Sequence, residues 1–330
     1  MNNLTPSVRP GRHLAPGFLR SVALAALAVT TLMPAGAADQ NAAPPMAPVP
    51  PNYLSALSAE LEPSAKIAYQ GAGEKALQLH VFNPAAWTRT DRRPAFVLFH
   101  GGGWTRGEPR AMYTFGKWAA EHGMIAFSAQ YRLHQPEAGV TVFDSVADAR
   151  AAVRYIRAHA AELGVDPTRV VLGGASAGGH LAVATVMFDE LDPASGSAIS
   201  CRADALVLFS SVIDTSAEGY GQAKLGLRWR ELSPVHHVTR GLPPTLAFHG
   251  TADAVTPFAG AQAFHTAMVA NGNQSELVIA PGAPHTYMFK DARLYAETME
   301  RLEAFLTAGG FIQPEGKHVI PPAGTAPGTQ

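Results

Sequence analysis

Between Arg169 and Ala182 the sequence reads RVVLGGASAGGHLA, a strand-forming apolar run that passes into helix-forming residues with no loop between them. A strand that turns this sharply must hold its corner residue in a strained conformation. Its neighbours must also be small if the helix is to fold back against the strand. Gly174, Ser176 and Gly178 meet that requirement as G-x-S-x-G, and they place a hydroxyl near the amide-rich, positive end of a helix. The geometry predicts that this hydroxyl is presented rather than buried. A glycine-rich helix start with Ser176 only as its N-cap fits the same residues, so the segment alone leaves the chemistry open.

The rest of the chain repeats the order of strand then helix. Short apolar runs predict strands at 66–70, 76–82, 95–100, 124–132, 169–174, 203–210, 245–250 and 275–280. Apolar residues at i, i+3 and i+4 predict helices at 143–163, from Ser176 onward, at 257–272 and at 292–309. The short link GAGEK joins the first two strands at hairpin length, so the sheet begins antiparallel and turns parallel. The fold class is α/β: a mostly parallel eight-stranded sheet with helices on both faces, in which reactive groups gather at the carboxyl ends of the strands.

With 330 residues, 47% apolar and 15% charged, the chain is long enough for one large core. A formal net charge of -1 and scattered Lys and Arg leave no basic stripe for a phosphate backbone, which argues against a nucleic-acid partner. Residues 1–37 run from Arg9, Arg12 and Arg20 through VALAALAVTTLM to Ala35–Ala37, the order of a secretory signal. The apolar run is about 12 residues, short of the roughly 20 that span a bilayer, so export to a periplasm or beyond is expected, with no stable membrane insertion. Residues 38–52 read as a Pro/Ala-rich linker, 53–312 as one catalytic domain and 313–330 as a disordered tail. Cys201 stands alone, so no intrachain disulfide is available.

A second motif, FHGGGWTRG, follows the strand at 95–100. Gly101, Gly102 and Gly103 let backbone N–H groups approach an oxygen that gains negative charge, with no Cβ in the way. A phosphate loop is the rival, but no GKS, GKT or GxGxxG accompanies it. No cofactor and no metal is called for. His100 reads as a loop-orienting hydrogen bonder, and Trp104 as a wall of the acyl or alcohol pocket, with a plain core aromatic as the equal alternative.

A serine nucleophile needs a base, and the base needs a carboxylate to orient it. Asp253, in LAFHGTADAVTP, and His285, in VIAPGAPHTYMF, both follow strands at the same end of the sheet as Ser176. Asp214 is the alternative acid. His249 and His265 read as packing residues, and His180 lies too far along its helix to take the serine proton. Asp166 reads as turn chemistry before a proline. Arg132 is expected to pair with Asp148.

The stretches HGGGW, YRL at 131–133, GASAGGHLA at 174–182, HGTAD at 249–253 and PH at 284–285 resemble the α/β-hydrolase esterases related to hormone-sensitive lipase. The wording is most similar to bacterial acetyl, acetylxylan and feruloyl esterases, over roughly residues 65–307. The resemblance implies Ser176 as nucleophile, His285 as base, Asp253 as its partner, and the N–H groups of Gly102, Gly103 and Ala177 as an oxyanion hole, with Gly101, Gly174 and Gly178 in support. It departs from many relatives in carrying Ala175 before the serine. It also has only YLSALSAELEPSA where others build a helical cap, which implies a minimal cap and an open pocket rimmed by 216–232. The implied function is hydrolysis of short-chain acyl esters of a small molecule or a glycan, including acetyl or feruloyl esters of plant polysaccharide. An amidase or peptidase of formamidase type is the alternative, and a binding protein on the same fold is a third reading.

Overall fold

The computed structural model describes residues 53–313. The expected leader at 1–37, the linker at 38–52 and the tail after Gln313 lie outside the described residues.

One sheet holds β1 (Ala65–Gln70), β2 (Leu77–Phe82), β3 (Arg93–Phe99), β4 (Ile125–Ala129), β5 (Val165–Ala175), β6 (Ala205–Phe209), β7 (Thr245–Gly250) and β8 (Ser275–Ala280). Its spatial order is β1-β2-β4-β3-β5-β6-β7-β8. The pairs β1–β2 and β2–β4 are antiparallel, and every later pair is parallel. The helices are α1 (Tyr53–Ala59), α2 (Tyr113–Glu121), α3 (Val142–Ala158), α4 (Ala160–Leu163), α5 (Ala177–Ala184), α6 (Gln222–Leu225), α7 (Phe258–Ala270) and α8 (Ala292–Ala308). This is the α/β-hydrolase arrangement.

Side chains alternate across the pleat, so each central strand feeds two cores. Val97 and Phe99 of β3 join the layer containing Val146 and Val153 of α3, Leu181 of α5 and Phe264 of α7. Phe96 and Leu98 join the layer containing Phe115 and Trp118 of α2 and Met299 and Leu302 of α8. Because both faces are covered, β3 from Ala95 onward and β6 read as continuous apolar runs, and β4 departs only at the buried Ser128, whose hydroxyl donates to Pro109 O at 2.7 Å. Among the described residues, no helix is long and apolar enough to cross a membrane.

From β3 the chain moves to β4 on one side, whereas β5, on the other side of β3, leads away toward β8. Connections that diverge in this way leave a crevice at the carboxyl ends of β3 and β5, where ligands of open α/β sheets bind. The glycine loop and Ser176 both open into it.

Several boundaries differ from the sequence pattern. The strand expected at 124–132 ends at Ala129, because the following residues turn to bind α3 and the glycine loop. The helix expected at 143–163 divides at His159, whose ring Nδ1–H and backbone N–H both donate to the carbonyl of Tyr155. Helix α2 is absent from the sequence pattern. Its Gly116 lowers helix propensity, and it is there because a Cβ would stand 2.9 Å from the ring of Phe82.

The expected pairing of Arg132 with Asp148 is present. The buried Asp148 carboxylate accepts from Arg132 Nε and Nη2 at 2.8 Å each, from the Arg132 amide at 2.9 Å and from Gln70 Nε2 at 2.8 Å. It thereby ties α3 to the end of β1 and to the segment after β4. Asp148→Ala removes all four bonds from a buried position while leaving Arg132 partly in water. It should lower stability by about 2–3 kcal/mol, a fall of about 5–10 °C in melting temperature by calorimetry; a fall below about 1 °C would contradict the role.

Candidate active site

Ser176 occupies the corner between β5 and α5 with φ 54° and ψ -120°. A non-glycine residue held there stores roughly 1–3 kcal/mol and persists only where its surroundings fix it. They do so: the Ser176 amide donates to Phe209 O at 2.9 Å, and its carbonyl accepts from His180 at 3.2 Å and Val212 at 3.1 Å. A Cβ on Gly178 would stand 2.5 Å from the carbonyl oxygen of His100 and would overlap that of Phe99. A Cβ on Gly174 would stand 2.5 Å from the Gly178 carbonyl carbon. The glycines of the motif therefore let α5 sit directly against the end of β3. In one respect the expectation fails, since Ser176 is only 6% exposed, enclosed by the loops that meet over it.

Asp253 follows β7 and His285 follows β8. The loops that carry them are locked together: Ala252 N–H donates to Ala283 O at 3.1 Å, Thr251 N–H to Ala280 O at 3.0 Å, and Gly282 N–H to Thr251 Oγ1 at 2.8 Å. His285 Nε2 lies 3.0 Å from Ser176 Oγ, and its Nδ1 lies 2.8 Å from Asp253 Oδ2. A carboxylate accepts only, so Nδ1 carries the proton and Nε2 turns its lone pair to the serine hydroxyl. The three residues proposed from sequence are thus brought together. Asp214 is not among them: it accepts from the Ser216 amide at 2.8 Å and packs beside Gly260.

The Asp253 side chain is fully buried. Burial alone would raise its pKa, but hydrogen bonds from His285, from the Thr256 and Val255 amides and from the Thr256 hydroxyl surround it, and they hold it below the ordinary value. Thr256 was not evident from sequence, and only its place directly after Val255, the amide that closes the Asx-turn of Asp253, points to it. Its hydroxyl lies 2.9 Å from Asp253 Oδ2 and 3.2 Å from His285 Nδ1. His249, expected to be packing, is buried and donates Nε2–H to Thr256 O at 2.7 Å. Burial pushes its pKa down, so it stands beside Asp253 as a neutral ring. Ser210 is a further unforeseen contributor, accepting from the Thr286 amide at 3.1 Å and so fixing the residue after His285.

Across the crevice, the glycine loop is braced from below. Burial pushes the His100 pKa down to about 4, and the neutral ring donates Nδ1–H to Gly101 O at 2.8 Å. The hydroxyl of Tyr131 donates to His100 O at 2.8 Å. Gly102 has φ 119°, and its carbonyl accepts from the amides of Thr105 and Arg106, both at 3.2 Å. A Cβ on Gly101 would lie 3.3 Å from Ser176 Cβ, so the loop rests against the serine. Among the described residues, the amides of Gly102 and Gly103 donate to no backbone carbonyl, and the Ala177 amide, first in α5, has no intrahelical acceptor.

Trp104 corrects its sequence assignment as a pocket wall. Its φ of 62° turns the ring beneath the loop, where it is fully buried, edge-on to His180 at 5.0 Å and tilted against Tyr220 at 5.7 Å. His180 donates Nε2–H to Leu232 O at 2.8 Å and takes no part at the serine. Asp166 caps its own turn, accepting from Thr168 N and Oγ1.

Residues 216–232 form the rim, with α6 followed by a 3₁₀ turn at Gly226–Leu232. The excursion closes on itself at its base, where Thr215 N–H donates to Ser233 Oγ at 3.1 Å and Thr215 Oγ1 donates to Trp229 O at 2.7 Å. Its far end reaches the glycine loop. Lys224 Nζ lies 3.2 Å from where a Gly103 Cβ would stand, and the Tyr220 hydroxyl is closer still.

Residues 79–218 match the BD-FAE family. Carboxylesterase NlhH of Mycobacterium tuberculosis is 30% identical over 226 residues, covering 60% of this chain and 67% of that protein. A probable isoprenylcysteine alpha-carbonyl methylesterase of Arabidopsis thaliana is 24% identical over 247 residues, 66% of this chain, which spans 50% of that relative's length. The solved structure of esterase 2 from Thermogutta terrifontis superposes with a TM-score of 0.70 at 40% identity, covering 77% of this chain and 95% of that one. That esterase has also been solved with propionate bound, with butyrate bound and phosphorylated by paraoxon. A strained serine at the β5 corner, the glycine loop beside it and these relatives agree: the chain belongs to the hormone-sensitive-lipase-like esterase family of the α/β-hydrolases.

Proposed function

We propose that the protein hydrolyses short-chain carboxylic esters through a covalent acyl-serine. The observation that carries this reading is the unbroken chain from Ser176 Oγ through His285 to Asp253, at 3.0 and 2.8 Å, beside amides without backbone acceptors. In the first half-reaction His285 Nε2 takes the hydroxyl proton as Ser176 Oγ bonds to the ester carbonyl carbon. The carbonyl oxygen becomes an oxyanion and accepts from the amides of Gly102, Gly103 and Ala177. The C–O bond to the alcohol then breaks, and the imidazolium returns its proton to the departing oxygen. In the second half-reaction water replaces the serine by the same route, releasing the acid. Asp253 holds the imidazole in the required tautomer throughout.

The acyl group is proposed to be short, supported by propionate and butyrate in the Thermogutta esterase. Acetyl or feruloyl groups on plant polysaccharide are the proposed natural esters, and the order of residues 1–37 supports export of the enzyme toward such a substrate.

Three measurements test this reading. Ser176→Ala should lower kcat for 4-nitrophenyl acetate at least about 10³-fold; equal rates from both proteins would reject the mechanism. Across 4-nitrophenyl esters, kcat/KM should be highest for acetate to butyrate and at least about tenfold lower for octanoate, since pocket methylenes each change binding by about 1–3 kcal/mol. Thr256→Val keeps the backbone donors to Asp253 but loses the hydroxyl. It should lower kcat about 5- to 50-fold with little change in KM, and an unaltered kcat would remove Thr256 from the network.

A further inference from the structure

Lys224 stands at the rim with no role in the chemistry above. The residue is half-buried, with its ammonium 4.4 Å from the ring centre of Tyr220 and 5.8 Å from that of Trp104, and it donates to Tyr220 Oη at 2.7 Å. That bond leaves two N–H groups on Lys224 unused, and it leaves the Tyr220 O–H proton to be donated elsewhere. Among the described residues, no carboxylate lies within ion-pairing distance of this ammonium. The contrast within the same rim is direct, since Arg228 is held by Glu231 at 2.7 Å. Among the described residues, the exposed Arg106 that follows the glycine loop also has neither an ion pair nor a side-chain hydrogen bond. Lys224 is thus a cation without a carboxylate partner beside Gly103.

We propose that Lys224 and Tyr220, seated against Gly103, form a subsite for a carboxylate carried by the substrate, so that among the acyl esters proposed above those bearing a carboxylate near the scissile bond are preferred. The proposal rests on the ester-hydrolase reading and names its substrate class. A carboxylate offers two acceptor oxygens, which match the ammonium and the phenol as adjacent donors. The Gly103 amide is assigned to the ester oxyanion, so the second acceptor group sits a few bonds from the scissile carbonyl. The aromatic faces of Trp104 and Tyr220 hold the ammonium in place.

Two pairs of esters test the subsite from both sides of the bond: 4-nitrophenyl hemiglutarate against 4-nitrophenyl butyrate, and 4-acetoxybenzoate against phenyl acetate. The wild-type protein should favour the anionic member of at least one pair. In Lys224→Met that preference should fall about tenfold, in Tyr220→Phe about threefold, and in the wild type it should shrink as salt is raised. Anionic-to-neutral ratios within twofold of wild type in Lys224→Met, for both pairs, would overturn the proposal. Lys224→Gln, with its melting temperature recorded, replaces Lys224→Met if that variant does not fold. Turnover of the neutral esters reports on the hydrolase reading separately. Should no ester be turned over, calorimetric binding of monomethyl glutarate to Ser176→Ala, with and without Lys224→Met, decides the subsite. Binding weakened about tenfold in the double variant supports it, and equal binding or none in either protein rejects it.

Discussion

Helix α5 meets the carbonyl oxygens of Phe99 and His100 across Gly178 at a separation that leaves no room for a Cβ. From this contact follow the sharp corner at Ser176, the alignment of the first α5 amide with the glycine loop, and the narrowness of the crevice between β3 and β5. The strain of the corner, roughly 1–3 kcal/mol, is balanced by the ladder to β6, since the Ser176 amide and carbonyl are both bound to that neighbour and its continuation. A longer connection between strand and helix would relax the serine and lose its aim.

The charged part of the site is built the opposite way, by enclosure. Asp253 has no solvent around its side chain, and its negative charge persists because hydrogen-bond donors converge on it. His249 and His100 are held neutral by burial, so each serves as an oriented dipole and adds no second charge. A single formal charge thus stands behind His285, and in these water-poor surroundings its attraction for a developing imidazolium is strong.

The parts of this structure legible from sequence are those governed by local rules. Strand β7 and strand β8 end where the apolar runs end, and the GxSxG and HGGG segments declare their backbone conformation through glycine alone. The positions of Asp253 and His285 follow from the chain order of strand ends. What escaped depends on distant approach: Thr256 matters because β8 delivers His285 beside it, and Gly116 becomes a helix residue because Phe82 lies under it. Trp104 shows the limit most clearly. An aromatic residue after three glycines reads as a pocket wall until its positive φ, invisible in the sequence, turns it into the floor beneath the loop.

The rim between Thr215 and Ser233 is pinned at a hydrogen-bonded neck and again where Leu232 O receives the His180 ring of α5. Between those anchors the exposed turn around Leu227 is free to drift in evolution, retuning which molecules are admitted, so long as the residues that touch α5 and the glycine loop stay in place.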